Sequence, residues 1–387
     1  MHSGHFNAIR QGKKLSPWLI VGANTDEALM VAKGPTILKH HERHQIISAV
    51  KWTDETFYDC PYDCDIELLD KLNCRYYIHG DDPVYNKDGE CYTDILKGKG
   101  RLMEIKRTTG ISTTDITAKL LDLLKPEKEE EQVTNSKKFA DPPKQSFLQT
   151  ATRIARFSNR SEPKPSDRVV YFAASCDLMH PGVIEKLKLA KAQGDYLYVG
   201  LWDDETIRYY KGGKYPLQGL QERILMALAI KYVDDVVIGA PYVITEDFLL
   251  SLGIKKVVHV ITDEDQVKPE HRHVDPYSIP KEQKIYVELP KIANDITLQQ
   301  IAKRVENNRA AFEKKVAKKL QSQAKYYESK KSKSVSSSTA CTSPANVQKI
   351  KNDDSNQEGS PTSITENQAS YEVEQSQSMT SASCAIF

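Results

Sequence analysis

Short β-branched runs alternate with amphipathic stretches along much of this chain, and the alternation is clearest after residue 168. Val169–Ala173 predicts a strand, Ile184–Ala192 a helix and Tyr196–Gly200 a second strand. Gln221–Lys231 predicts another helix, and Val236–Ile238 and Lys256–Ile261 two further strands. Earlier in the chain, Ile116, Leu120, Leu121, Leu123 and Leu124 mark one apolar helix face. Strands alternating with helices imply βαβ units, an α/β fold with a doubly wound parallel sheet and helices on both faces. In such sheets ligands bind beyond the carboxyl ends of the strands, next to helix N-termini.

The pattern occurs twice. "VGANTDE" (Val21–Glu27) returns as "VGLWDDE" (Val199–Glu205), and Lys33-Gly34 returns at the same spacing as Lys211-Gly212. After a slip of two residues, Glu42-Arg43 matches Glu222-Arg223, "KWTDE" (Lys51–Glu55) matches "KYVDD" (Lys231–Asp235), and His79 matches His259. So many matches in one order imply two tandem Rossmann-like domains. The alignment also lays "MHSGH" (Met1–His5) on "MHPGV" (Met179–Val183), which follows the strand in "RVVYFAASCDL" (Arg168–Leu178). The first copy is therefore expected to lack its first strand, a central one in a doubly wound sheet, which would leave two strand edges unpaired. The expected organisation is a first domain over residues 1–124, a linker over 125–167, a degenerate second domain over 168–325 and a disordered tail over 326–387. "KPEKEEEQ" (Lys125–Gln132) and "DPPKQ" (Asp141–Gln145) read as solvated linker, with "FLQTATRIARFS" (Phe147–Ser158) an apolar-bearing stretch suited to docking on a domain. The Ser-, Gln- and Thr-rich remainder after about Lys325 supplies little apolar surface to bury. Leu298–Tyr326 predicts a Lys-rich helix, either solvated or a surface for weak peripheral contact with anionic membrane.

Composition narrows the function classes. With 54 Lys+Arg against 53 Asp+Glu, no global field favours nucleic acid or a membrane surface. Apolar runs such as Ile224–Ile230 are far too short to span a bilayer. Seven irregularly spaced cysteines suit reduced thiols and a cytoplasmic setting better than a disulfide framework. Cys60, Cys64, Cys74 and Cys91 invite a zinc reading, but the first spacing and the ragged partners argue against it.

The strongest chemical signal is "RTTGISTTDI" (Arg107–Ile116). Ser or Thr before an amphipathic helix caps exposed N–H groups. Hydroxyls, free amides and an arginine beside a glycine also form a phosphate cradle. Together with H-x-G-H in the first five residues, this motif resembles the cytidylyltransferases, which join CTP to a phosphorylated alcohol. Two tandem copies with the intervening "FLQTATRIARFS" are similar to the ethanolamine-phosphate branch of that family, over roughly Met1–Lys318.

The resemblance implies roles. His2 and His5 would contact the CTP phosphates and stabilise charge developing on the α-phosphate and the leaving pyrophosphate. Lys33 and Arg107 would neutralise phosphate, Ser112, Thr113 and Thr114 would hold the triphosphate, and His79, Gly80 and Asp81 would lie at a strand end near the nucleotide. Mg²⁺ is the implied counter-ion. Asp26 and Trp52 are candidates for the substrate ammonium, by charge or cation–π attraction, set against plainer readings as a helix-start acid and a packed aromatic. The partners implied are CTP and phosphoethanolamine, with no nucleic acid, and a homodimer and a place at the periphery of the endoplasmic reticulum membrane belong to the same expectation. In the second copy His180, Lys211 and His259 persist as vestiges, Val183 replaces the second histidine, and the cradle is expected at "VELPKIAN" (Val287–Asn294) with only Asp295-Ile296 matching Asp115-Ile116. That wear suits preserved folding better than preserved catalysis. Two other readings stay open here: a catalytically weak or inactive regulatory variant, and another nucleotidyltransferase, choline-phosphate or adenylyl-transferring.

Overall fold

A computed structural model of the chain describes residues 1–81, 91–108, 110–125, 147–159, 161–263, 267–293, 295–317 and 382–386. The first domain runs α1 (Ser3–Leu15), β1 (Leu19–Asn24), α2 (Asp26–Lys33), α3 (His40–Ser48), β2 (Glu55–Cys60), α4 (Ile66–Lys71), β3 (Cys74–Gly80), α5 (Tyr92–Gly98), β4 (Leu102–Ile105) and α6 (Thr113–Leu123). After α7 (Phe147–Phe157), the second domain repeats the plan: β5 (Val169–Ala174), α8 (Pro181–Lys191), β6 (Tyr196–Leu201), α9 (Asp204–Lys211), α10 (Leu220–Leu228), β7 (Asp235–Ile238), α11 (Glu246–Ser251), β8 (Lys256–Val260), α12 (Ser278–Glu282), β9 (Tyr286–Leu289) and α13 (Leu298–Asn307). A last strand, β10 (Ala382–Ile386), stands apart in sequence.

Each domain holds a five-stranded parallel sheet, ordered β2-β1-β10-β3-β4 in the first and β7-β6-β5-β8-β9 in the second. All six residues of β1 are buried, as an apolar run covered on both faces requires. The sheet orders correct two expectations. The gap between β1 and β3 is filled by residues 382–386, and this part of the anticipated disordered tail is a strand. Its register is that of the second domain's central strand. Ile20 and Tyr77 flank Cys384, as their counterparts Tyr198 and Val257 flank Tyr171. Pairing on both sides removes the two open edges that a missing strand would leave.

The helix beginning at Leu298 is also not the appendage expected. In the sheets Tyr286 pairs with Val257 as Leu102 pairs with Tyr77, so the repeat slips by a few more residues before β9. Thr297 then caps α13 as Ser112 caps α6, and α13 is the second copy of α6. Its apolar stripe is committed to the core: Ile301 and Val305 are fully buried, and Phe312, in the helical continuation over 309–317, nearly so. Arg304 bridges to Glu42 at 2.6 Å and Lys315 bonds the Pro35 carbonyl at 2.8 Å, so the helix is tied to the first domain. The expected tail boundary at residue 326 lies outside the described residues, as does most of the expected linker.

The two copies meet through equivalent residues. Val50 and Ile230 form an antiparallel bridge, with the Lys51 N–H on the Ala229 carbonyl and the Lys231 N–H on the Ala49 carbonyl, each at 2.9 Å. Residues that match in the repeat pair with one another, which is the isologous logic of a two-fold dimer built within one chain. Phe157 of α7 is buried beside this junction, edge-on to Trp52 with ring centroids 5.0 Å apart.

Candidate active site at the carboxyl edge of the first sheet

The H-x-G-H turn is the N-terminus of α1. His2 is the N-cap, its Nδ1 accepting the Gly4 N–H at 3.2 Å, while the His5 Nδ1 accepts the His2 N–H at 3.3 Å. This is a capping box built from imidazoles in place of Ser and Glu. It has a chemical consequence: with both Nδ1 atoms accepting from the backbone, the proton of each neutral ring sits on Nε2, which makes that nitrogen the donor. Gly4 leaves room for this ring, since a Cβ there would lie 2.9 Å from two atoms of the His2 ring and 3.3 Å from Ile111. The rings lie 3.9 Å apart.

Side chains of α1 draw the second motif to the first. Asn7 Nδ2 donates to Thr108 Oγ1 at 2.9 Å and Gln11 Nε2 to the Lys106 carbonyl at 2.9 Å. Asp81, directly after β3, accepts the Arg107 N–H at 3.3 Å and bonds the Ile105 carbonyl through its own N–H. Gly110 takes φ +86°, a conformation that favours glycine. Ser112 then caps α6, accepting the Asp115 N–H at 3.3 Å and donating to its carboxylate at 2.8 Å. Its hydroxyl is thus committed to the cap, and Thr113 and Thr114 add first-turn amides and hydroxyls as donors for an anion. Asn7 and Gln11 were not among the residues singled out by sequence. Their i, i+4 spacing on the helix carrying both histidines is the signal that finds them.

Burial holds the His5 imidazole well below its ordinary pKa, and the charges of His2, Lys33 and Arg107 push in the same direction. Lys33 ends α2, its Nζ lying 5.2 Å from the centre of the Tyr62 ring. Thus the end of α2 and the segment after β4 supply the Lys33 and Arg107 charges that act on His5 of α1. His79 closes β3, stacked on Tyr77 at 5.7 Å with its Nδ1 3.0 Å from the Gly80 carbonyl oxygen. A Cβ on Gly80 would meet nothing within 4 Å, so this strand end borders open space.

Of the two substrate candidates, Trp52 is not brought to this cluster, whereas Asp26 opens α2 directly after β1, at the carboxyl edge of the sheet. Trp52 precedes β2, at the amino edge of the sheet, where it packs on Phe157 beneath the Lys51 ammonium. Asp26 is held in a clamp, bonded to Arg43 Nη1 at 2.7 Å and to the His40 N–H at 2.9 Å. Burial raises the pKa of its carboxyl, but these bonds outweigh it and hold it below the usual range. The second domain repeats the clamp as Arg223–Asp204, also at 2.7 Å, so it belongs to the fold.

In the second domain the equivalent place is closed. The strand register and the matching caps Ser112 and Thr297 put the second cradle four to five residues later than Val287–Asn294, running into the Thr297 cap. A Cβ on Gly182 would lie 2.5 Å from the Ile296 carbonyl oxygen, so the turn and the cradle backbone are pressed together. A sealed cluster fills what space remains, with Lys186 3.4 Å from Asp295 and Thr262 bonded to both. His180 occupies the N-cap position of α8 without the side-chain cap bond that His2 makes, and it is 1% exposed beside a pocket of ≈ 60 Å³, room for a few waters and not a triphosphate. Lys211 lies over Trp202 at 5.8 Å, and His259 bonds the Tyr286 hydroxyl at 3.0 Å.

A parallel sheet with cationic side chains and helix N-termini gathered at its carboxyl edge is the framework of a nucleotidyltransferase, and the cytidylyltransferase-like family model matches residues 1–119 and 171–341. An ethanolamine-phosphate cytidylyltransferase of Dictyostelium discoideum is 39% identical over 82% of this chain and 91% of its own length. Enzymes of the same name from Arabidopsis thaliana and Mus musculus are 37% and 34% identical, over 85% and 83% of this chain and 83% and 87% of their own. The chain belongs to the ethanolamine-phosphate cytidylyltransferase family.

Proposed function

We propose that the first domain transfers the cytidylyl group of CTP to phosphoethanolamine, giving CDP-ethanolamine and pyrophosphate. The observation that carries this reading is the capping box of imidazoles at the N-terminus of α1, which orients both Nε2 atoms as donors, together with the Asn7–Thr108 and Gln11–Lys106 bonds that draw the second motif to it. A phosphate oxygen of phosphoethanolamine attacks the α-phosphorus of CTP. The bond to the β-phosphate oxygen breaks, and pyrophosphate carries away the electron pair. Negative charge grows on the α-phosphoryl oxygens and on the leaving group, where neutral imidazole donors, the α1 amides and the two cations stabilise it. No protein base is needed, because the attacking phosphate is already anionic. Catalysis here is positioning and electrostatics.

Among the described residues no cluster of three or more His, Cys, Asp or Glu side chains is arranged to hold a metal. The residues gathered at the site are donors for phosphate, so Mg²⁺ belongs with the substrate, as Mg–CTP. Among the described residues no helix is long and apolar enough to cross a membrane.

The test is product formation by the purified chain from Mg–CTP and phosphoethanolamine, with ATP and phosphocholine as competing substrates. His5→Ala is expected to lower kcat by on the order of 10²–10³-fold, the effect of removing one donor to a developing oxyanion. Absence of CDP-ethanolamine, or preference for ATP or phosphocholine, overturns the reading.

A further inference from the structure

The closed second domain reaches the site of the first. Ser3, the residue between the histidine and glycine of H-x-G-H, is 1% exposed, and its hydroxyl donates to the Glu222 carboxylate of α10. Glu222 is held in place by its neighbour. Arg223, fully buried, bonds the Gln218, Ser175 and Trp202 carbonyls and the Asp204 carboxylate, fixing the first turn of α10 to its own domain. The twin of Glu222 shows the alternative use of this position. Glu42 accepts its own helix's Lys39 N–H at 2.8 Å and also takes Arg304 of the second domain at 2.6 Å. In both copies the matched glutamate therefore receives a donor from the opposite domain.

We propose that Glu222 is a positioning residue for catalysis in the first domain, fixing the H-x-G-H turn through Ser3 so that the His2 and His5 Nε2–H groups stay aimed at the phosphates. The second domain thereby contributes to a reaction its own closed site does not perform. This deepens the proposed function and rests on it for its kinetic arm.

Glu222→Ala and Ser3→Ala are each expected to lower kcat on the order of tenfold, the factor associated with a lost hydrogen bond to a charged partner, with KM for CTP little changed. The double variant is expected to fall no further than either single one, since both remove the same bond. Glu222→Gln keeps an acceptor oxygen and should restore most of the rate. A second readout is independent of turnover: the imidazole ¹⁵N resonances of His2 and His5 should move in Glu222→Ala and return in Glu222→Gln. A wild-type chain without turnover refutes the proposed function and leaves the resonances to decide positioning. Additive losses in the double variant, or unmoved resonances in Glu222→Ala, overturn the proposal.

Discussion

Gly4→Ala separates the chemistry of the first domain from its stability. The new methyl carbon would lie 2.9 Å from Cε1 and Nδ1 of His2, closer than real Cβ contacts allow, so one group must move. The obstacle is a side chain, and the cheapest response is for His2 to swing aside, breaking its bond to the residue 4 N–H. Losing an N-cap costs about 1 kcal/mol. Replacing helical glycine by alanine returns up to ~1 kcal/mol. The two nearly cancel, so the melting temperature should move by no more than a few degrees. The rate should behave otherwise, because the swing removes one of two phosphate donors. We expect kcat/KM for CTP to fall by on the order of 10²-fold, about 2.7 kcal/mol of transition-state stabilisation. Gly182→Ala is the control with opposite sign. Its Cβ would meet the Ile296 carbonyl at 2.5 Å, backbone that cannot swing, so stability should fall by about 1–3 kcal/mol. Activity measured well below the lowered melting point should stay within about threefold, a change under ~1 kcal/mol. Thermal melts beside steady-state kinetics on both variants decide the matter. A Gly4→Ala protein with near-normal kcat/KM, or one whose loss simply follows unfolding, refutes the placement of His2 at the phosphates.

Ala385→Pro removes a backbone donor from the middle strand of the first sheet, between Val21 and Ile78, and should cost ~3 kcal/mol. Hydrogen exchange over Leu19–Gly22 and Tyr77–Ile78 should quicken while β5–β6 stays protected, and uniform protection would argue against the pairing. Because the His5 pKa is depressed in the folded state, the unfolded chain binds the proton first. Stability from this group is present above about pH 6.5 and declines as pH falls below that value. Because the His5 Nδ1 must stay an unprotonated acceptor for the His2 N–H, calorimetry of CTP binding near pH 6 in buffers of different ionisation enthalpy should show no proton uptake by this ring, and an uptake that His5→Ala abolishes would refute the neutral donor. Trp52→Ala should cost about 2 kcal/mol through its packing on Phe157 and leave the KM for phosphoethanolamine unchanged.

Much of this architecture is written locally. The alternation from Val169 to Lys256 has the periods of strand and helix, and the observed elements begin within a few residues of where those periods place them. The duplication is legible because "VGANTDE" and Glu42-Arg43 keep their spacing to their copies. Three features were hidden, each for a physical reason. The second cradle was misaligned because Asp295-Ile296 mimics Asp115-Ile116, whereas the true register is set by ladder bonds between β8 and β9. The helix at Leu298 looked like an appendage because its partner α6 lies far away in sequence. Nothing within "ASCAI" marks it as the centre of a sheet. It is short, it sits in a Ser-rich segment, and its partners Ile20 and Tyr77 are distant in the chain. At the site, residue type led to Trp52 as a ligand for an ammonium, but its position before β2 seats it at the wrong edge. Glu222 escaped because its role lies in the other domain.

The strand at residues 382–386 makes the order of synthesis matter. On a ribosome, β1 and β3 emerge early, yet the strand that joins them follows the whole second domain. Until then the first sheet offers two open, apolar strand edges to any passing chain, a recognised route to aggregation and a natural ligand for chaperones. The second domain can close its own sheet as it is made, so the two halves should differ in their need for assistance although they share a fold. A fusion partner or a frameshift near residue 382 would then damage the domain encoded farthest from it.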